Sequence, residues 1–316
     1  MTARHPRTIW TALLAVSVLA ATGLSACGGG DGTTTTAAKT TPVAAAGPPI
    51  RIGTKDFTEE FLLGELYSQA LTAKGFDVRL KSNIGSSELT HQALGNKRLD
   101  MYPEYIGTLL SEVANDTKRP KSPSAAYDRA KAFEEGRGYT LLAPTPFSDS
   151  EALAVTPKFA RRHNVDSIAD LRRMAKTLTI GAPSEFNARF EGLKGLKEVY
   201  GIEKPGFAPL DFDKRYPSLD SGKVDVAAVF TTERQLAGSR YVVLKDPEGL
   251  FAIQHVAPII DKAVLARHGP RLAQVIDAVS AELTTSAMRR MNGAVDLDGR
   301  TPREVAAEFL HSKALV

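Results

Sequence analysis

The chain has a single cysteine, Cys27, in 316 residues. No intramolecular disulfide can form, so packing alone must hold the fold in an oxidising compartment. An excess of one charge sign is also lacking. Setting aside Arg4 and Arg7, which precede Cys27, 38 basic residues stand against 36 acidic ones, too even a balance for the field that nucleic acid or anionic lipid would need. No internal repeat of roughly 20 to 50 residues occurs, which excludes a solenoid. The chain also lacks His-Glu-x-x-His, Gly-x-Ser-x-Gly and phosphate-loop patterns. Glu59 and Glu60, adjacent on an expected helix, point to different faces and make no acid-base pair. An enzyme is therefore not the expected class, and neither a cofactor nor a metal is expected.

The first residues supply an address. Arg4 and Arg7 make a positive start, Ile9 to Ala21 a short apolar run, and Leu24-Ser25-Ala26-Cys27 a small-residue cleavage site. A plain secretory signal or a transmembrane anchor are the alternatives. A spanning helix needs ~20 apolar residues, and this run is shorter and interrupted by Thr11 and Ser17. Residues 1–27 are therefore read as a lipoprotein signal peptide with lipid on Cys27, attaching an extracytoplasmic protein to the cell membrane. Residues 28–49 are rich in Gly, Thr, Ala and Pro and too poor in large side chains to offset their ordering entropy, so they read as a flexible tether.

About 265 residues follow, more than one small core uses, which suggests two lobes. Ile50–Gly53 reads as a strand. Asp56 then offers a helix N-cap with Glu59 three residues on, and Phe57, Phe61, Leu62, Leu66, Tyr67, Ala70 and Leu71 form one stripe ended by Gly75. Asp77–Lys81 is a second strand, Ser86–Leu94 a second helix, and Leu99–Tyr102 a third strand before Pro103. Leu178–Gly181 and Val224–Phe230 are later strands. Pro270 and Thr301 open two late helices. The order is α/β with mostly parallel sheets. Glu151–Thr156 and His255–Ile260 are strand-like without a hairpin partner, and are expected to carry the chain between lobes.

Three runs carry a resemblance: Gly53-Thr54-Lys55-Asp56-Phe57-Thr58-Glu59, His91-Gln92-Ala93-Leu94, and Asp100 to Thr108. Glu151 to Val155, Ala182 to Phe186, Gly192 to Gly201, Gly222 to Val226 and Phe230-Thr231-Thr232 extend it. The chain from Ile50 to about Leu283 resembles the solute-binding proteins of osmoprotectant ABC importers, which take up glycine betaine, choline or carnitine. The resemblance implies a two-lobed, periplasmic-binding-protein-like clamshell of type II with two crossover segments. Residues 50–148 and 258–316 would form lobe 1 and residues 152–250 lobe 2, with crossovers near 149–156 and 251–260. It also implies a small-molecule ligand and an ABC permease with its ATPase; the protein is expected to be a monomer.

Ligands of open α/β sheets bind beyond the carboxyl ends of strands, where Lys55, Tyr105 and Phe230 fall. The resemblance assigns Lys55, Thr108 and Arg189 to an anion grip, and Tyr105 and Phe230 to an aromatic cage for a quaternary ammonium. Glu151 and Gln254 stand where that cage has tyrosines, and Glu60 replaces a glutamine. A carboxylate at Glu151, together with Asp149, would serve a cation that still bears N–H groups. Tyr102 and Tyr216 are further cleft candidates, with core packing as the alternative. His91, on the apolar side of its helix, reads as a structural histidine. Gly85-Ser86-Ser87 reads equally as an anion cradle or a helix cap.

Overall fold

The computed structural model describes residues 47–316 except Thr117, Arg119 and Ala252, and the side chains of Glu185 and Phe212 are not described. The expected signal peptide, the expected lipid site at Cys27 and all of the expected tether but residues 47–49 lie outside the described residues.

Among the described residues ten strands form two sheets: β1 (Ile50–Gly53), β2 (Val78–Lys81), β3 (Met101–Tyr105), β4 (Tyr139–Leu141), β5 (Glu151–Val155), β6 (Thr179–Ala182), β7 (Gly206–Pro209), β8 (Val226–Phe230), β9 (Val242–Val243) and β10 (Val256–Asp261). The first sheet has the order β2-β1-β3-β10-β4 and the second β7-β6-β8-β5-β9. In each, one strand runs against the others: β10 is antiparallel to β3 and β4, and β5 to β8 and β9. These inverted strands are the two segments expected to cross between lobes, near 149–156 and 251–260, and each is paired on both sides within one sheet. The crossing segments bond to each other, through a bridge between Ser148 and His255 and from Asp149 N to Gln254 O at 3.1 Å.

Both sheets are covered on both faces, so their central strands are buried along their length. Alternation sorts their side chains. On β10, Val256 and Ile260 join the core beneath the helices Thr58–Ala73, Pro270–Glu282, Thr285–Asp296 and Pro302–Ser312, while Ala257 and Ile259 join the core on the opposite face. On β5 and β8, Leu153, Val155, Val226 and Ala228 enter one core and Ala152, Ala154, Ala227 and Val229 the other.

Two local expectations are corrected. The third strand does not stop before Pro103 but runs through it to Tyr105. Pro103 lies opposite Pro258 in the β3–β10 ladder, and two facing prolines fit a non-hydrogen-bonded pair, where neither missing N–H costs a bond between these two strands; on its other side Pro258 O accepts from Leu142 N at 2.9 Å. The first helix is capped by Phe57 rather than Asp56, without a side-chain cap bond. Glu59, expected to complete that cap, turns instead into the site described next.

Candidate functional site

A cavity of about 700 Å³ lies where the carboxyl ends of β1, β3 and β8 meet the crossing segments and the helix Thr285–Asp296. The three strands are buried along most of their length, and the cavity opens at their carboxyl ends. Lys55 follows β1, Tyr105 ends β3 and Phe230 ends β8, and all three line the cavity. So do Thr108, Asp149 and Gln254.

Lys55 is only 4 % exposed. Its Nζ donates to Glu104 Oε1 at 2.5 Å and to Ser87 Oγ at 3.3 Å, and lies 3.6 Å from Glu60 Oε1. Burial alone would depress the ammonium, but Glu104 and Glu60 outweigh it and raise its pKa. Burial likewise pushes Glu60 up to about 7, against the attraction of Lys55. The ammonium also sits over the Tyr105 ring, 4.2 Å from its centroid, and 5.7 Å from that of Phe57. Lys55 is thus a cation already held by two carboxylates and an aromatic face.

A second group of acids faces the cavity without a basic partner. Glu59, 4 % exposed, accepts from Tyr105 Oη at 2.7 Å and from Asn292 Nδ2 at 2.7 Å. Asp149 accepts from Thr232 Oγ1 at 2.6 Å and from Thr232 N at 3.3 Å. Among the described residues neither carboxylate forms an ion pair. Burial raises both pKa values, that of Asp149 strongly and with Glu59's charge as the next cause. On the second sheet's side, Arg215 is buried, donates to Ala228 O at 2.7 Å and pairs with Glu233, which also accepts from Tyr216 Oη. Among the described residues six carboxylic side chains line the cavity against Lys55, Arg215 and Arg234, so a cationic or zwitterionic guest fits its charge.

Two expected site residues lie outside the lining. Arg189 is exposed, on the loop entering the turn Phe190–Lys194. Glu151 is the first residue of β5, opposite Phe230, and Asp149, two residues earlier on the crossing segment, reaches the cavity instead. Thr108 and Gln254 bond mutually, Thr108 N to Gln254 Oε1 and Gln254 Nε2 to Thr108 Oγ1, each at 3.1 Å. Of the two cleft tyrosines, Tyr216 lines the cavity; Tyr102 is fully buried against His91 Nδ1 at 3.2 Å. Ser86 caps its helix and also touches the cavity.

Glu59, Arg215, Thr232 and Asn292 were not singled out from sequence as site residues. Glu59 and Thr232 fall inside motifs quoted for the resemblance and Arg215 precedes Tyr216, so a signal was present for these three. Asn292 has none: it sits in an amphipathic helix near the end of the chain, with nothing in its neighbours to mark it.

Residues 48–312 match the family described as the substrate binding domain of ABC-type glycine betaine transport system. A glycine-betaine-binding protein of Pseudomonas aeruginosa is 31% identical over 278 residues, covering 84% of this chain and 88% of the relative. The glycine betaine-binding protein YehZ of Escherichia coli is 28% identical over 282 residues, covering 85% and 92%. A crystal structure described as a glycine betaine/carnitine/choline ABC transporter superposes with a TM-score of 0.77 at 26% identity, covering 84% of this chain and 99% of that one.

Proposed function

This chain belongs to the family of substrate-binding domains of ABC-type glycine betaine transport systems, and from that premise we propose that its cavity takes a quaternary ammonium or related cationic or zwitterionic compatible solute. The observation that carries this reading is the pairing of aromatic walls, Phe57, Tyr105, Tyr216 and Phe230, with a surplus of carboxylates around about 700 Å³. Aromatic faces attract a cation at ~0.5 to 2 kcal/mol each, and Arg215 supplies a buried counter-charge for the carboxylate of a zwitterion. Nothing in this arrangement requires a reaction, so binding without catalysis is the function proposed.

In this reading residues 50–148 and 258–316 form one lobe and residues 152–250 the other. They close on the ligand, and the closed form is what a membrane permease reads. The site comprises Lys55, Tyr105, Thr108, Asp149, Phe230 and Gln254 from the sequence expectation, with Glu59, Arg215, Thr232 and Asn292 added. The protein acts as a monomer outside the cytoplasm, held to the membrane by lipid on Cys27; in a Cys27→Ala variant it would leave the membrane fraction. Calorimetry of the tether-free chain with glycine betaine, choline and carnitine tests the reading. Saturable binding of at least one is expected; absence of heat and of any thermal upshift with all three would overturn it.

A further inference from the structure

We propose that Glu233 selects the charge of the guest: by holding Arg215 it works against a guest carboxylate, so the cavity prefers a cation that carries none over a zwitterion. This inference rests on the proposed function and narrows its substrate class.

The resemblance assigns an anion grip to Lys55, Thr108 and Arg189, and in the structure none of the three stands ready for a guest carboxylate. Lys55 Nζ donates to Glu104 Oε1 at 2.5 Å and to Ser87 Oγ at 3.3 Å, with Glu60 Oε1 at 3.6 Å, so its charge is already matched. Thr108 is engaged through both N and Oγ1 by the Gln254 side chain, each at 3.1 Å. Arg189 is exposed and outside the lining.

Arg215 and Arg234 are the other bases of the lining. Arg234 is exposed, where water and salt screen its charge. Arg215 is 3 % exposed; its Nη1 donates to Ala228 O at 2.7 Å and its Nη2 to Glu233 Oε1, while Glu233 Oε2 accepts from Tyr216 Oη. The tyrosine thus fixes the Glu233 carboxylate against the guanidinium. A guest carboxylate must either share Arg215 with Glu233, against like-charge repulsion in a site of low dielectric, or displace Glu233 and strip it of its counter-charge. The counter-charge that Arg215 offers a zwitterion is therefore a shared one, and such a repulsive element is what discriminates between guests that are otherwise alike.

The cation end is the reverse. Glu59 and Asp149 line the cavity, held by hydrogen bonds from Tyr105, Asn292 and Thr232, and among the described residues neither forms an ion pair. A guest ammonium meets two carboxylates that no base has neutralised; a guest carboxylate meets no buried base that an acid has not.

The test is titration calorimetry of the full chain with N,N,N-trimethylglycine and its isosteric amide, N,N,N-trimethylglycinamide, which share the trimethylammonium and differ in the carboxylate. The amide is expected to bind roughly fivefold or more tightly than trimethylglycine, and that preference to drop to half or less in Glu233→Gln, which keeps an acceptor for Tyr216 Oη and releases the charge of Arg215. If Glu233→Gln does not fold, Glu233→Asp, whose shorter reach loosens Arg215, is judged by the same drop. A parent preference below fivefold overturns the inference whether or not either variant folds, and leaves the proposed function standing. A preference undiminished in the folded variant overturns the role of Glu233. If both compounds, choline and carnitine all fail to bind, the proposed function falls and this inference with it.

Discussion

Glu134, on the helix Pro123–Glu135, is fully buried, and neither of its carboxylate oxygens has a hydrogen-bond partner among the described residues. The nearest base, His91 Nε2, is 3.7 Å from Oε1, too far for a hydrogen bond. Burial pushes the Glu134 carboxyl up to about 7, opposed by Arg137 and reinforced by Glu104. The folded state therefore holds a proton that the unfolded chain releases near pH 4.5, and stability falls as pH rises from there through about 7. Glu134→Gln should be close to neutral at pH 4 and gain roughly 3 kcal/mol on the parent above pH 8, from ~1.4 kcal/mol per pKa unit; urea denaturation across that range measures it, and a pH-independent difference would contradict it. The same scale shows the reach of sequence reading. Lys55, Tyr105 and Phe230 were legible because a strand end is a local feature. Arg189 and Glu151 were placed by likeness to a motif, and whether a side chain beside a motif enters a cavity depends on the path of the backbone around it.

At the scale of elements, the turns Ser184–Asn187 and Phe190–Lys194 are packed so closely that a Cβ on Gly192 would stand 2.0 Å from the Phe186 carbonyl oxygen. Backbone cannot swing away as a side-chain tip can. Gly192→Ala is expected to cost about 2 to 4 kcal/mol. Gly95, the last residue of the helix Ser87–Gly95, would meet nothing within 4 Å, and Gly95→Ala should gain up to ~1 kcal/mol by restricting the unfolded chain. Paired denaturant titrations decide this, and similar effects at both glycines would refute the packing argument. Seven of the ten described strands were legible from period and punctuation, but of the helices only those opening near Asp56, Ser86, Pro270 and Thr301 were, and Pro123–Glu135 and Thr285–Asp296 were not. The two corrected boundaries share a cause: Pro103 looks like a stop until Pro258 is seen opposite it, and Asp56 looks like a cap until Glu59 is seen engaged by Tyr105 and Asn292.

At the scale of the whole molecule, the proposed closure would depend on contacts between the chain around the first sheet and the chain around the second. The helix Thr285–Asp296 packs Ala287, Met288 and Met291 into the first sheet's core. From it Arg289 reaches the segment after β8, donating from Nε to Thr231 O at 2.7 Å and from Nη1 to Leu236 O at 3.3 Å. Arg289 does not line the cavity, so its removal should act on closure rather than on ligand contacts. Arg289→Ala is expected to weaken ligand binding by roughly 3- to 30-fold, chiefly through faster dissociation, as a penalty on the closed population of about 1 to 2 kcal/mol would do. Stopped-flow dissociation and solution scattering would check this, and an unchanged rate with an unchanged radius of gyration would exclude a clamping role.

The amino-acid sequence by itself determined the α/β order and the motifs that set cavity residues at strand ends, because hydrophobic period, turn residues and short motifs are properties of neighbours along the chain. Only the tertiary structure decided that Lys55 already has its counter-ions in Glu60 and Glu104, that Asp149 rather than Glu151 faces the cavity, and that Asn292 closes on Glu59 from 233 positions away. Charge pairing and buried hydrogen bonds depend on which groups meet in space, and over such separations no local pattern encodes the meeting.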